Sequence, residues 1–343
     1  NTQHTPLNVG VIGVGAMGPR HCRIFSNLHL TLLAGVCDLN PIAGNRIAQQ
    51  FHVPYYASVD DLLEHVDAVS VATPTPSHFD IAMRCIAKGV HVLIEKPIAA
   101  TLEQAHQLAQ TAAANNLVVQ VGHIERFNPT YLELKNVVED KRIAAINMRR
   151  LSAYQASNTD VDVVLDLMIH DLDLVLDMVN DTPAAIAAHG LSVFTNTIDH
   201  ATAQLSFANG PLVTLTASRI TEQKIRTIEV TTLDSFVEAN LLNKSVTVHR
   251  RTVSEYLAQN QREVKYRQES IMECIHVPAI EPLFSELDHF ANCIINGTRP
   301  QVSARDGYLA LKMAFDIRDA INRDLPHLER PLQQKSMAVP VLV

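Results

Sequence analysis

The chain has 343 residues, of which 47% are hydrophobic and 19% are charged, and its formal net charge is −8 at pH 7. This length and apolar content predict a globular protein with two domains. The acidic balance, with no lysine or arginine run longer than two residues, argues against nucleic acid or an anionic membrane surface as a partner.

Short apolar runs alternate with amphipathic segments in the first third of the chain. The apolar runs predict five strands, at 8–15, 30–38, 67–73, 91–97 and 118–123. The segments between them predict helices at 19–27, 41–51, 60–65, 77–88 and 101–115, with Ser77 and Thr101 as N-caps. This rhythm predicts an N-terminal Rossmann domain over residues 1–125, a doubly wound parallel sheet with α/β architecture.

A glycine-rich motif stands between the first strand and the first helix. Its members are Gly13, Gly15, Ala16, Met17 and Gly18. Glycines at such a turn allow a pyrophosphate to approach the backbone at the N-terminus of the helix. Asp38 ends the second strand, where a carboxylate can bind both adenosine ribose hydroxyls and repel a 2′-phosphate. The sequence therefore predicts NAD as the cofactor and favours it over NADP.

Two further strand ends should lie at the same edge of the sheet. Thr73 and Pro74 follow the third predicted strand, with His78 shortly after them, and we expect these residues to line the cofactor cleft or to form an ordinary turn. The next strand ends in Glu95 and Lys96. A lysine there can stabilise the alkoxide that forms as hydride leaves a sugar carbon, although a strand-end ion pair is the alternative interpretation.

The second half of the chain has a different periodicity. A long helix is predicted over 161–180, followed by alternating runs with a hairpin signal at Asn209-Gly210, and two helices close the chain at 281–296 and 304–322. We therefore expect residues 126–343 to form an α+β substrate-binding and oligomerisation domain. Its mainly antiparallel sheet would have one open face and be flanked by helices, with the closing helices within 281–323.

The long helix carries a candidate acid–base pair. Asp166 and His170 are four residues apart and would share one helical face. Histidine accepts a proton near neutral pH, and a nearby carboxylate stabilises its charged form. The alternative is a structural histidine with Asp166, Asp171, Asp173 and Asp177 on a solvated face. No third ligand accompanies the pair, so no metal site is predicted.

Cysteine content and hydropathy bear on the cellular location. The five cysteines are widely spaced and form no CxxC motif, which indicates reduced core thiols rather than disulfides or a zinc cluster. No stretch of about 18 uncharged apolar residues occurs. We therefore expect a cytoplasmic protein.

Taken together, the glycine motif, the acid ending the second strand, "EKP" and "DxxxH" resemble the glucose-fructose oxidoreductase, inositol dehydrogenase and MocA family of NAD(P)-dependent sugar oxidoreductases. This resemblance covers the whole chain. It implies that Lys96 and His170 are the catalytic pair, that Asp166 shares their site, and that Glu95 lies at the cofactor edge. It also implies a homodimer or homotetramer formed through the C-terminal sheet.

The stretch "VGHIERFNP" resembles the branch of that family which oxidises carbon 3 of UDP-N-acetyl-hexosamines during 3-amino sugar biosynthesis. Glu125, Arg126 and Asn128 would then bind substrate, together with Lys96, Asp166 and His170. In the alternative interpretation Arg126 pairs with Glu125 and Asn128 caps the next helix. The cations available for a diphosphate are Arg149, Arg150, Arg219 and Lys224.

These observations predict an NAD-dependent oxidation of a sugar ring hydroxyl, with UDP-N-acetylglucosamine as the preferred substrate. A dehydrogenase of inositol or of a free sugar is the nearest alternative. An NAD-assisted glycosidase and a dinucleotide-binding regulator without turnover are the other two classes that the sequence leaves open.

Overall fold

The computed structural model describes residues 5–154, 161–254 and 267–324. The chain packs into two compact units whose segments interleave along the sequence. Unit 1 contains the residues up to Val137 together with Leu172–Met178 and His276–Met313, and unit 2 contains the described residues within Val138–Asp171, Val179–Ile275 and from Ala314 onward. The boundary at residue 125 between two consecutive domains stays a prediction.

Unit 1 contains a six-stranded parallel sheet. Its strands are β1 (Leu7–Ile12), β2 (Thr31–Cys37), β3 (Tyr55–Tyr56), β4 (Ala68–Val71), β5 (His91–Glu95) and β6 (Val119–Gly122). They lie in the order β3-β2-β1-β4-β5-β6, so strands are added on one side of β1 up to β3 and on its other side from β4 onward. The predicted doubly wound sheet is confirmed. The two-residue β3 was not predicted, because it is too short to show a periodicity.

The helices of unit 1 follow from capping and apolar spacing. They are α1 (Gly18–Phe25), α2 (Pro41–Phe51), α3 (Val59–Leu63), α4 (His78–Ala87) and α5 (Leu102–Ala114), with α6 (Pro129–Val138) beginning in this unit. The hydroxyl of Thr101 accepts a hydrogen bond from Gln104 N–H and caps α5 as predicted. Ser77 caps no helix through its side chain, because its hydroxyl binds Thr73 Oγ1 instead.

Unit 2 contains an eight-stranded sheet. Its strands are β7 (Ile143–Leu151), β8 (Ala185–Leu191), β9 (His200–Ser206), β10 (Leu212–Ser218), β11 (Ile225–Thr232), β12 (Ser235–Asn240), β13 (Ser245–Ser254) and β14 (Arg267–Ile275). Their order is β14-β13-β12-β11-β7-β10-β9-β8, and only the β7–β10 pair is parallel. The mainly antiparallel sheet is confirmed, and β9 and β10 form a hairpin around Asn209-Gly210.

The long helix predicted over 161–180 consists of two kinds of turn. A π-helical segment over Val164–Met168 leads into α7 (Ile169–Val179). The closing helices are α8 (Pro282–Asn296) and α9 (Ala304–Asp324). No helix among the described residues combines the length and the apolar character needed to cross a membrane.

The hydrophobic core of unit 1 contains side chains that are far apart in sequence. Phe25 of α1, Leu93 of β5 and Phe290 of α8 are all fully buried in one apolar cluster. Each such side chain stabilises the fold by about 1.5–3 kcal/mol relative to an exposed one. This packing holds α1 and the end of β5 in fixed places, which matters for the polar groups described next.

Candidate functional site

The glycine turn after β1 is shaped by close backbone contacts. Gly13 has φ of +90°, and a Cβ atom at this position would lie 2.8 Å from the backbone of Ala72. A Cβ at Gly18 would lie 2.1 Å from the carbonyl oxygen of Gly13. At Gly15, by contrast, a Cβ would meet nothing within 4 Å. Gly13 and Gly18 are thus required by the fold, and Gly15 leaves bare backbone open to a ligand, which fits a pyrophosphate.

The remaining motif residues form the approach to α1. Ala16 is exposed and Met17 packs partly against the core. Met17 carbonyl oxygen accepts hydrogen bonds from the N–H groups of Arg20 and His21, which begins the helix. Both positions therefore lie at the helix N-terminus, where we predicted the cofactor phosphates.

Asp38 is fixed beside the glycine turn. Its Oδ2 accepts a hydrogen bond from Val14 N–H at 2.7 Å, and its Oδ1 accepts one from Asn40 N–H at 2.7 Å. Each carboxylate oxygen keeps a further lone pair for a hydroxyl group. The half-buried side chain therefore suits the ribose role that the sequence predicts.

The predicted cofactor-edge residues after β4 are joined to the chain after β5. His78 is 1% exposed, and its ring nitrogens lie 2.7 Å from the carbonyl oxygen of Thr73 and 2.9 Å from that of Pro97. Because backbone carbonyls occupy both sides of the ring, His78 links the two strand ends. Direct binding of a cofactor by Thr73, Pro74 and His78 stays a prediction.

The end of β5 carries the charged pair. Glu95 Oε1 lies 3.1 Å from His21 Nε2, and Glu95 Oε2 accepts a hydrogen bond from the backbone N–H of Lys96 at 3.3 Å. The glycine at position 122 makes room for this carboxylate, since a Cβ there would lie 3.1 Å from Glu95 Oε2. Lys96 is half-buried, and a cis peptide bond joins it to Pro97.

The charge state of Glu95 results from opposing effects. Burial alone would raise the pKa of Glu95, but the hydrogen bond and charge of His21 and the positive charge of Lys96 together lower it below its ordinary value. Glu95 is therefore ionised at neutral pH. It provides a fixed negative charge next to the lysine that we predicted as catalytic.

A group of buried polar side chains that sequence reasoning missed lies near this charge. Glu286 and His123 are each 1% exposed and Gln120 is fully buried. Burial and the negative charges of Glu95 and Asp173 raise the pKa of Glu286 well above its ordinary value, which favours the protonated acid. Burial lowers the pKa of His123, which is therefore neutral. Nothing in the periodicity of either segment indicates these polar positions.

The residues of "IERFN" predicted to bind substrate face inward. Arg126 is 3% exposed and forms a two-pronged ion pair with Asp173, at 2.7 and 2.8 Å, and a third contact with Asp177 at 2.8 Å. Asn128 donates to Glu125 at 2.8 Å and accepts from the N–H of residue 130 at 3.0 Å, at the start of α6. This arrangement argues against direct substrate binding by Arg126 and Asn128.

The alternative interpretations of these segments also need correction. Asn128 caps the next helix as the alternative proposed, but Arg126 pairs with Asp173 rather than with Glu125. Burial by itself would lower the pKa of Arg126, and the two aspartates raise it instead. Asp171 and Asp173 are buried in ion pairs, so they do not lie on a solvated face.

In unit 2, the predicted acid–base pair lies at the start of the long helix. Asp162 caps this helix, because its Oδ1 accepts hydrogen bonds from the N–H groups of Val164 and Leu165 at 2.9 and 3.0 Å. Asp166 belongs to the π-helical turn and His170 to α7, and both side chains are half-buried. The single regular α-helix that we predicted is therefore wrong at this point. Such π turns are frequent at functional sites.

Two of the four candidate diphosphate cations form buried ion pairs within unit 2. Arg150 is 2% exposed and contacts Asp171 Oδ1 from two of its nitrogens, at 3.0 and 2.7 Å. Arg219 is 4% exposed and its Nε lies 2.8 Å from Asp199 Oδ1. These ion pairs argue against phosphate binding by either arginine. Arg149 and Lys224 are exposed and stay candidates.

Comparison with known proteins assigns both halves of the chain. Residues 7–123 match an oxidoreductase family described as having an NAD-binding Rossmann fold, and residues 131–233 match a GFO/IDH/MocA C-terminal domain. These two matches cover the glycine motif, Asp38, Lys96 and the helix that carries His170.

Individual relatives are dehydrogenases of sugars and inositols. UDP-N-acetylglucosamine 3-dehydrogenase of Acidithiobacillus ferrooxidans is 35% identical over 247 residues, which cover 71% of this chain and 77% of the relative. Its solved structure has a TM-score of 0.85 at 30% identity and covers 93% of this chain and 99% of that one. The scyllo-inositol dehydrogenase of Lactobacillus casei, solved with NAD(H) and scyllo-inositol, has a TM-score of 0.76 at 19% identity over 93% of this chain and 98% of that one, and so shares the fold.

Proposed function

The chain belongs to the GFO/IDH/MocA family of NAD-binding oxidoreductases, and from this membership we propose that it oxidises the carbon 3 hydroxyl of UDP-N-acetylglucosamine to a ketone. One observation carries the choice of substrate. The relative with that activity matches 93% of this chain with a TM-score of 0.85, against 0.76 for an inositol dehydrogenase of similar coverage.

The cofactor is NAD, held in unit 1 by the glycine turn and by Asp38. When bound, NAD supplies the acceptor for the hydride that leaves the sugar carbon. Gly15 contributes the open backbone for the pyrophosphate, and Asp38 contributes a carboxylate that is already fixed by two backbone N–H groups. This preformed site supports tight and selective binding of the adenosine half.

In our proposal Lys96, His170 and Asp166 carry the chemistry of the hydroxyl group. His170 accepts the hydroxyl proton, as histidine does most readily near neutral pH. The ammonium group of Lys96 stabilises the negative charge that develops on the oxygen. Asp166 stabilises the charged imidazole. The ionised Glu95 lies next to Lys96 and provides a fixed negative charge beside it.

The substrate is tested by following NADH absorbance with UDP-N-acetylglucosamine, free N-acetylglucosamine and myo-inositol as separate substrates. We expect turnover with the UDP-sugar and little with the other two. Turnover with myo-inositol alone would identify an inositol dehydrogenase, which is the second candidate function. This candidate is supported by the scyllo-inositol 2-dehydrogenase of Bacillus subtilis, which is 23% identical over an alignment that covers 93% of this chain and 95% of the relative.

The roles of Lys96 and His170 are tested by replacing each with alanine. Loss of a proton-transfer or charge-stabilising group typically lowers turnover by about 10²–10⁴-fold. Lys88→Ala and His29→Ala are matched controls, because both side chains are exposed on unit 1. Turnover within a few-fold of wild type for Lys96→Ala and His170→Ala would show that the assigned chemistry is wrong.

We also propose that the chain forms a homodimer or homotetramer through the sheet of unit 2. Leu212 on β10 is 50% exposed and Met272 on β14 is 64% exposed, so this sheet carries large apolar side chains that an interface would bury. Light scattering of the purified protein measures the mass of the assembly. A monomer at micromolar concentration would contradict the proposal, and Met272→Glu is expected to weaken the assembly.

A further inference from the structure

A chain of three polar side chains, two of them fully buried, connects α1, β4 and β5 in unit 1. His21 Nδ1 lies 2.6 Å from Ser70 Oγ, and His21 Nε2 lies 3.1 Å from Glu95 Oε1. Both His21 and Ser70 are 0% exposed. The ring therefore has a hydroxyl group on one side and a carboxylate on the other. The contacts join a helix, a central strand and the end of the strand that precedes Lys96.

The order serine, histidine and glutamate is that of a hydrolytic triad, but the geometry rules out this use. Ser70 lies in the middle of β4 with no exposed surface, so no substrate reaches its hydroxyl group. A nucleophile must be within reach of the bond that it attacks. The three groups therefore act on the protein itself.

Glu95 is the member of this chain that reaches toward the proposed catalytic site. Its two oxygens have different partners, since Oε1 contacts His21 and Oε2 accepts the backbone N–H of Lys96. A carboxylate held at both oxygens has a fixed orientation. This backbone N–H belongs to the proposed catalytic lysine, so a displacement of the Glu95 carboxylate would also displace the backbone of Lys96.

We propose that His21 is a positioning residue for Lys96, acting through the carboxylate of Glu95. The inference rests on the proposed function, in which Lys96 stabilises the developing negative charge. His21 touches neither of the proposed reacting groups, and it determines where the carboxylate lies and in which direction the chain leaves β5. A misplacement of about 1 Å at a reacting group costs on the order of 10²-fold in rate.

Two substitutions separate the two contacts of His21. The amide nitrogen of His21→Gln reaches the place of Nε2 and can donate to Glu95, whereas that of His21→Asn reaches only the place of Nδ1 and can contact Ser70. We expect His21→Asn to lower kcat by about 10–100-fold, with the KM for NAD within about twofold of wild type. His21→Gln should recover most of the kcat. His29→Gln, at an exposed histidine on the same unit, should leave both constants unchanged.

The opposite pattern overturns the proposal. If His21→Asn kept wild-type kcat and His21→Gln lost it, the contact with Ser70 would be the important one and the role of His21 would be structural. A melting temperature recorded for each variant shows whether it is folded at the assay temperature. If either His21 variant is unfolded there, Glu95→Ala is measured instead, because it removes the side chain through which His21 would act on Lys96. Wild-type kcat in that variant would overturn the proposal.

Failure of the proposed function gives a different result. Lys96→Ala is measured in the same assay, and if it retains turnover then Lys96 is not catalytic, whatever the His21 variants do. If Lys96→Ala loses turnover and both His21 variants keep it, only the positioning role is refuted.

Discussion

Replacing Glu286 by glutamine should stabilise the protein, and the gain should increase with pH. Glu286 is 1% exposed on α8, and its pKa is raised well above the ordinary value of 4.5 by burial and by the negative charges of Glu95 and Asp173. The unfolded chain loses this proton as the pH rises through about 4.5, while the folded protein retains it. The neutral form therefore stabilises the fold fully at low pH, and its contribution declines as the pH approaches the folded-state pKa.

The size of the effect follows from proton linkage. Titration of Glu286 should lower the free energy of unfolding of the wild type as the pH rises from 4.5 to the folded-state pKa of this group. The decrease is up to about 1.4 kcal/mol per pH unit. Glutamine has nearly the same shape as the protonated acid and does not titrate. The difference in unfolding free energy between Glu286→Gln and wild type should therefore rise with about that slope and level off above the folded-state pKa.

The measurement is urea denaturation of both proteins at pH 5, 6, 7 and 8. Glu139→Gln is the matched control, because its side chain is exposed in the turn after α6 and its difference from wild type should stay nearly constant. A Glu286→Gln difference that is equally constant over this pH range would refute the reasoning. It would mean that Glu286 is ionised in the folded protein.

Three further outcomes are expected. Arg126→Ala should lower the free energy of unfolding by about 3–5 kcal/mol, because the buried Asp173 loses its cation, while Asp177 keeps Lys135 as a partner. Arg84→Ala removes an exposed ion pair and should cost no more than about 1 kcal/mol in the same urea titration. Gly18→Ala should destabilise the fold, since the new Cβ would lie 2.1 Å from a carbonyl oxygen, while Gly15→Ala should keep the stability and weaken NADH binding measured by fluorescence. Asp38→Ala should weaken NAD binding and relax the preference over NADP; an unchanged ratio of the two affinities would remove Asp38 from the ribose site.

Features that depend on local sequence were predicted well. The glycine turn, the strands on either side of it and the hairpin at Asn209-Gly210 each depend on a short run of residues, and the structure has them at the predicted places. The same reasoning missed β3, which is only two residues long. It also predicted a regular helix where a π turn carries Asp166, because hydrophobic spacing alone does not distinguish the two.

Features that depend on distant partners were not predictable. Arg126 binds Asp173, 47 residues away, and Gln120 Nε2 donates to a backbone oxygen 166 residues away, at Glu286. A single sequence shows which residues are charged but not which charges meet inside the fold. For this reason Arg126 was assigned to the substrate, although its guanidinium group is buried against Asp173 and Asp177.

Glu95 and Glu286 show how the fold shifts the pKa values of two carboxyl groups in opposite directions. Both are desolvated, and burial raises the pKa of each. Glu95 has the His21 ring and the Lys96 backbone as partners and Lys96 as a neighbouring cation, so its pKa ends below the ordinary value. Glu286 Oε1 meets no hydrogen-bond partner among the described residues, and the negative charge of Glu95 raises its pKa further. The pKa values of two carboxyl groups in one polar region are thus driven apart, and the one whose pKa is lowered precedes the proposed catalytic lysine.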